Sequence, residues 1–228
     1  MKTIFLLLII STYIMQAKKE IIYVFDPFCT WCYAMSDVVE RIENEYSEDF
    51  TFVAKTGGMI LGDSVGSIND NFSFLKTAYQ KVEDHTGTQF GPSFKKDVLE
   101  VGDYVISSLE PSIAMTVFKS LDEKNAIKFL HKLQEAFYFD GKDIKDKVVL
   151  SELASQFGVD KSEFVKRFED PKYLDMTNEE FAEVGKWGVS GYPAIFLRDG
   201  ENLYRVSSGY QYFMDLKNIM IQIKGQTK

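Results

Sequence analysis

An apolar run, Ile21-Ile22-Tyr23-Val24-Phe25, leads within four residues into Cys29-Thr30-Trp31-Cys32, and apolar side chains then recur at Met35, Val38, Val39, Ile42 and Tyr46. The first stretch has the composition of a buried strand, and the spacing of three and four in the second marks one face of a helix. A strand that turns into a helix at Cys-x-x-Cys fixes a local geometry. Cys29 falls at the helix N-terminus, where unpaired amide groups and the macrodipole favour an anion, and Cys32 falls one turn deeper. That arrangement suits dithiol chemistry, in which the Cys29 thiolate attacks a disulfide and Cys32 resolves the mixed disulfide that forms. These are the only two cysteines in 228 residues, so neither thiol has another partner within the chain.

Zinc would need four ligands, and only His85 and His131 could complete a Cys2His2 set; neither lies at a finger spacing, so no metal is expected. A purely structural disulfide within Cys-x-x-Cys closes too short a loop to stabilise much. No cofactor beyond the dithiol is called for. Trp31 is expected to shield the helix start, with direct contact to substrate as the alternative.

A net charge of −8 without a dense Lys/Arg face argues against nucleic acid as a partner. A hydrophobic content of 45% is enough for a sizeable core, and most of the 19 Phe and 12 Tyr residues are expected inside it. Lys2 followed by Ile4-Phe5-Leu6-Leu7-Leu8-Ile9-Ile10 reads as a secretory leader, with Ala17 as a cleavage residue, although Met15 is large for its place two positions earlier. Met15 is also an alternative initiator. Residues 1–17 are expected to lie outside the fold. Cleavage would make the protein periplasmic or secreted, and otherwise it would be cytoplasmic. The apolar run is too short for comfortable spanning, so no stable membrane insertion of the mature chain is expected.

Phe50-Thr51-Phe52-Val53-Ala54-Lys55 reads as a second strand ending at Gly57-Gly58, which with the first helix makes a parallel β-α-β unit. From about Ser67 to Gly188 the periodicity is helical. Pro111 fits a first helical turn. Asp160-x-x-Glu163 and Thr177-x-x-Glu180 have the form of capping boxes, and His131 reads as an ordinary histidine on a helix. Ala194–Arg198 and Leu203–Val206 flank Asp199-Gly200-Glu201-Asn202 as a hairpin, and Phe213, Leu216, Ile219, Met220 and Ile223 give a closing amphipathic helix. The order predicts an α/β thioredoxin-like fold (β-α-β … β-β-α), formed by residues 18–66 and 188–228. A large all-helical insertion, 67–187, separates the second and third strands.

Asp26-Pro27-Phe28-Cys29-Thr30-Trp31-Cys32-Tyr33 near the start and Gly188-Val189-Ser190-Gly191-Tyr192-Pro193-Ala194 before the third strand resemble the DsbA-type thioredoxin-fold oxidoreductases. Within them the chain is most similar to the FrnE-like branch, whose motif is D-x-x-C-x-W-C. Gln89-Phe90-Gly91-Pro92 and Leu133-Gln134-Glu135-Ala136-Phe137-Tyr138 add weaker matches. The resemblance covers about residues 20–215. It implies a protein-disulfide oxidase, isomerase or reductase acting on protein or small-molecule thiols and disulfides with a separate redox partner. It also implies that Pro193 is cis and faces the cysteines, leaving the backbone of Tyr192 to pair with an extended substrate. Asp26 has two readings: a cap that orients the turn, or a partly buried carboxylate that helps move the Cys32 proton.

Two features depart from that branch. Ala34 stands where glycine is frequent, and a second cysteine pair carried by some members is lacking. Two other functions fit the same fold. One is a glutathione-dependent isomerase or transferase of the 2-hydroxychromene-2-carboxylate isomerase and kappa type, which places serine where Cys29 stands and needs no Cys32. The other is a non-catalytic, chaperone-like binding module.

Overall fold

The computed structural model describes residues 18–225; the leader reading of residues 1–17, with Met15 and Ala17, lies outside them. β1 (Glu20–Phe25), α1 (Thr30–Tyr46) and β2 (Thr51–Thr56) form the first unit, with β1 and β2 parallel and Ile22 opposite Val53. β1 is covered on both faces, which is why its sequence reads as an unbroken apolar run rather than an alternation. Ile21, Tyr23 and Phe25 join the core on the α1 side, while Ile22 and Val24 pack with Val184, Ala194 and Phe196 on the other. The predicted stripe of α1 is buried at all five positions.

After β2 the chain enters a block that is helical except for a two-stranded ribbon. β3 (Gly66–Ser67) leads to α2 (Ile68–Asn71), α3 (Leu75–Thr86), a π-helical segment at Phe94–Glu100 and β4 (Val105–Ile106), which pairs antiparallel with β3. Strands of two residues are too short to leave a period in the sequence, so the ribbon is a departure from an all-helical insertion. Then follow α4 (Leu109–Asp122), α5 (Ala126–Tyr138), α6 (Lys147–Ser155), α7 (Lys161–Phe168) and α8 (Pro171–Lys186). Phenylalanines fill the interior: the Phe118 and Phe129 rings stack with centroids 4.0 Å apart, and Phe157 meets both edge-on. Apart from Val184, which packs on the other face of the sheet, the buried apolar residues of this block and of the α1 face form one continuous core.

Pro111 lies in the first turn of α4, as predicted. Asp160 caps α7 by accepting from the Glu163 amide at 2.9 Å, but the Glu163 carboxylate turns to Arg167, so only half of that box forms. Thr177 is not a cap. It is buried inside α8, where its hydroxyl donates to the Tyr173 carbonyl at 2.7 Å; the helix instead starts at the Asp170 cap with Pro171 in its first turn.

β5 (Ala194–Asp199) and β6 (Asn202–Ser208) form the hairpin, and α9 (Phe213–Gly225) closes the chain. The sheet order is β2-β1-β5-β6, with β5 antiparallel to β1 and Tyr23 opposite Ile195. Leu216, Met220 and Ile223 bury the inner face of α9. No helix among the described residues is long and apolar enough to cross a membrane.

The open edge of β2 is held by charge. Glu180 on α8 accepts from the Thr56 amide at 2.8 Å and the Thr56 hydroxyl at 3.0 Å, and it pairs with Lys119 of α4 and Lys55 of β2. Burial alone would raise the Glu180 pKa, but the two ammonium groups and the bonds from Lys119 and Thr56 outweigh it, and the net shift is downward. The stability this group contributes is therefore present above the ordinary glutamate range and lost as pH falls through its lowered folded value. Replacing it leaves two partly buried ammonium groups with less compensation, Lys55 beside Glu183 and Lys119 beside the Ala54 carbonyl. Glu180→Ala is expected to cost about 3–5 kcal/mol, read from urea unfolding at neutral pH, with a smaller difference from the parent in acid.

Candidate active site

Cys29 is the N-cap of α1, with extended backbone (φ −90°, ψ 113°), and its sulfur accepts from the Cys32 amide at 3.3 Å. A cap normally uses an oxygen acceptor for this bond; here the acceptor is the sulfur itself. The first turn of α1 carries no acidic residue, so nothing on the helix offsets its positive end at that sulfur. Both cysteines are free thiols. Cys29 retains 6% exposure and Cys32 none. The Cys32 thiol is pushed well up, first by burial, then by its bond to Cys29 and by the Cys29 charge; the Asp26 amide acts in the opposite sense, and the Asp26 carboxylate raises it again.

The Tyr192–Pro193 peptide bond is cis, and it brings the second predicted segment to the thiols. The Cys29 thiol donates to the Tyr192 carbonyl at 3.5 Å. The Tyr192 ring serves a different purpose, since its hydroxyl donates to the Gly57 carbonyl at 2.8 Å. A Cβ on Gly57 would stand 2.0 Å from that ring, so the end of β2 must be glycine for the ring to lie there. Burial, followed by the charges of Asp26, Cys32 and Cys29, pushes the Tyr192 phenol up to about 12.

Trp31 is half-buried in an aromatic wall. Its ring meets His85 edge-on at 5.6 Å and lies 6.2 Å from Tyr210, while the Tyr212 hydroxyl donates to the His85 carbonyl at 2.8 Å. His85, at the end of α3, therefore borders the dithiol, a placement that no local pattern in the sequence marks. His131 is remote in role and pairs through Nδ1 with Glu40 at 2.7 Å. Among the described residues no group of three or more His, Cys, Asp and Glu side chains is placed to hold a metal ion.

Asp26 is fully buried and its carboxylate is a three-way junction. Oδ1 accepts from the Phe28 amide and the Ser108 hydroxyl, both at 2.9 Å, and Oδ2 accepts from the Met59 amide at 2.7 Å. Burial raises its pKa even though all three bonds act to lower it. The Asp26 carbonyl also accepts from the Cys29 amide at 3.1 Å and from the Gln134 side chain of α5 at 3.2 Å. Of the two sequence readings, orientation of the turn is what these contacts display directly. Ser108, Met59 and Gln134 could not be assigned to the site from sequence because each is distant in the chain and only the tertiary fold brings it to Asp26.

A family model described as a DSBA-like thioredoxin domain matches residues 20–219. Among solved structures, a provisionally assigned protein disulfide isomerase of Nitrosomonas europaea superposes with a TM-score of 0.81 at 25% identity, over 92% of this chain and all of that one. The cytosolic disulfide reductase DsbM of Pseudomonas aeruginosa gives 0.76 at 22% identity, over 91% of this chain and 98% of that one, a likeness of fold. The ClpXP adapter protein SpxH of Bacillus subtilis is 28% identical over 206 residues, 86% of this chain. That match spans 65% of the relative, so the chain covers a little under two thirds of its length.

Asp26→Ala would leave the Phe28 and Met59 amides and the Ser108 hydroxyl without their acceptor in a buried turn. A loss of about 3 kcal/mol in unfolding free energy is expected by chemical denaturation. Faster alkylation of Cys32 should accompany it, as its cover loosens and the carboxylate charge disappears.

Proposed function

The chain belongs to the DSBA-like thioredoxin domain family, and on that basis we propose that it is a thiol–disulfide oxidoreductase working through the Cys29/Cys32 dithiol. The observation that carries this reading is the unequal setting of the two sulfurs: Cys29 caps α1 beside the Tyr192 carbonyl and keeps a sliver of exposure, and Cys32 is fully sealed one turn deeper.

The Cys29 thiolate attacks one sulfur of a substrate disulfide, forming a mixed disulfide and releasing the other sulfur as a thiol. Cys32 then attacks Cys29, the Cys29–substrate bond breaks, and the dithiol leaves as a disulfide while the substrate leaves reduced. In the opposite direction the same steps oxidise a substrate dithiol. An extended substrate would pair with the backbone of Tyr192 beside Pro193, against the wall formed by Trp31, His85 and Tyr210. Substrates of this class are protein or small-molecule thiols and disulfides, and turnover needs a redox partner to reset the dithiol.

A second reading, a protein-binding adapter, draws on the likeness to the ClpXP adapter protein SpxH. The two readings differ in whether the sulfurs are needed. Catalysis requires that the protein accelerate dithiothreitol-driven insulin reduction and that Cys29→Ser abolish the effect, whereas an adapter would be indifferent to that change.

Cys32→Ser should accumulate mixed disulfides with substrate on non-reducing gels, because attack remains and resolution is lost; Cys29→Ser should accumulate none. Iodoacetamide should label Cys29 before Cys32 in the reduced protein. Equal behaviour of the two single variants, or prior labelling of Cys32, would contradict the assigned roles.

A further inference from the structure

The resolving step makes a demand that the contacts described so far meet poorly. Cys32 must act as a thiolate, yet it is sealed from water and the nearby Asp26 charge opposes its ionisation. The Asp26 carboxylate oxygens are already taken by Phe28, Met59 and Ser108. Only the Asp26 amide favours the thiolate among the contacts described above.

One more buried polar side chain reaches Cys32. Tyr23, in the middle of β1, is completely buried, and its hydroxyl donates to the Cys32 carbonyl at 3.1 Å. Both cysteine side chains also act on this phenol electrostatically, each raising its pKa. Its position is fixed by pairing with Ile195 in the sheet and by stacking on Phe25 with centroids 5.8 Å apart. Burial, and after it the neighbouring sulfurs, keep the phenol protonated far above neutral pH, so it is a standing donor and not a base.

We propose that Tyr23 is the buried donor of the resolving step, its hydroxyl turning from the Cys32 carbonyl to the Cys32 sulfur as the thiolate forms. This rests on the dithiol reading given above. The change re-aims the hydroxyl within one residue, from its carbonyl to its side chain, while Tyr23 stays paired in the sheet. Cys32 loses its proton and bonds to Cys29, and the Cys29–substrate bond breaks. The electron pair leaves on the substrate sulfur, which takes up a proton in place of the one Cys32 released. The dithiol is oxidised by two electrons and the substrate disulfide is reduced by two. Tyr23 keeps its proton throughout, stabilising charge where it develops in a site that excludes water.

The test uses dithiobis(nitrobenzoate) as the disulfide, with released thionitrobenzoate followed by stopped flow. The first release reports attack by Cys29 and the second reports resolution by Cys32. Tyr23→Phe preserves the ring and its packing. It should leave the first phase unchanged, slow the second about tenfold, and move the pH profile of the second to higher pH. Attack measured in a Cys32→Ser background should not respond to Tyr23→Phe. A second phase that is unchanged overturns the proposal, and so does equal slowing of both phases, which would indicate a distorted helix start. If Tyr23→Phe does not fold, fluorotyrosine at position 23, a stronger donor, must speed the second phase; no acceleration overturns the proposal. Absence of any second phase in the unsubstituted protein would defeat the dithiol reading itself, whereas a second phase indifferent to position 23 defeats only the role of Tyr23.

Discussion

A carboxylate buried at the end of the central strand is the constraint on which the site depends. Asp26 is withdrawn from water, which is costly for an ionisable group unless donors replace the lost solvation. Its three donors come from separate parts of the chain: Phe28 from the turn itself, Met59 from the loop after β2, and Ser108 from the entry to α4. Ser108 also exchanges bonds with Ile60, accepting from the Ile60 amide at 3.1 Å and donating its own amide to the Ile60 carbonyl at 2.9 Å. The helical block is thereby fastened to the loop that borders the cysteines, and the start of α1 cannot shift without breaking bonds in all three segments.

With that turn fixed, the two sulfurs acquire different properties from their positions alone. Cys29 caps the helix, where the sulfur meets an amide and the positive end of α1. Cys32, a single turn later, meets apolar neighbours and the Cys29 sulfur. The separation is only three residues, yet it runs from a sulfur with slight exposure to one with none. A helix laid against a strand buried on both faces produces that difference, so the asymmetry needs no special side chain at Thr30 or Trp31.

The parts legible in the sequence were those encoded locally. A strand, a helix stripe and a hairpin each leave a period within about ten residues, and Cys29 follows from where the period changes. Tyr192 and Pro193 were reachable through a resembling motif, although the motif did not indicate that the Tyr192 ring would settle on Gly57. The contacts of Asp26 with Ser108, of the Asp26 carbonyl with Gln134, and of Trp31 with His85 join residues that only the tertiary fold brings together. Thr177 shows the opposite failure. Its spacing to Glu180 satisfies the capping pattern, but a threonine inside a helix can bond back to the preceding turn, and the pattern alone does not separate the two cases.

The helical block is therefore more than an inserted lid on a redox sheet. Through Ser108 and Gln134 it sets the turn that presents Cys29, and through His85 it supplies a side of the wall around Trp31. At the opposite edge, Lys119 and Glu180 bind the same block to β2. A displacement of the block would thus reach the thiols by two routes, through the turn beneath Cys29 and through the aromatic wall beside Trp31. The sheet supplies the strand, but the reactivity of its dithiol depends on how the helices are docked.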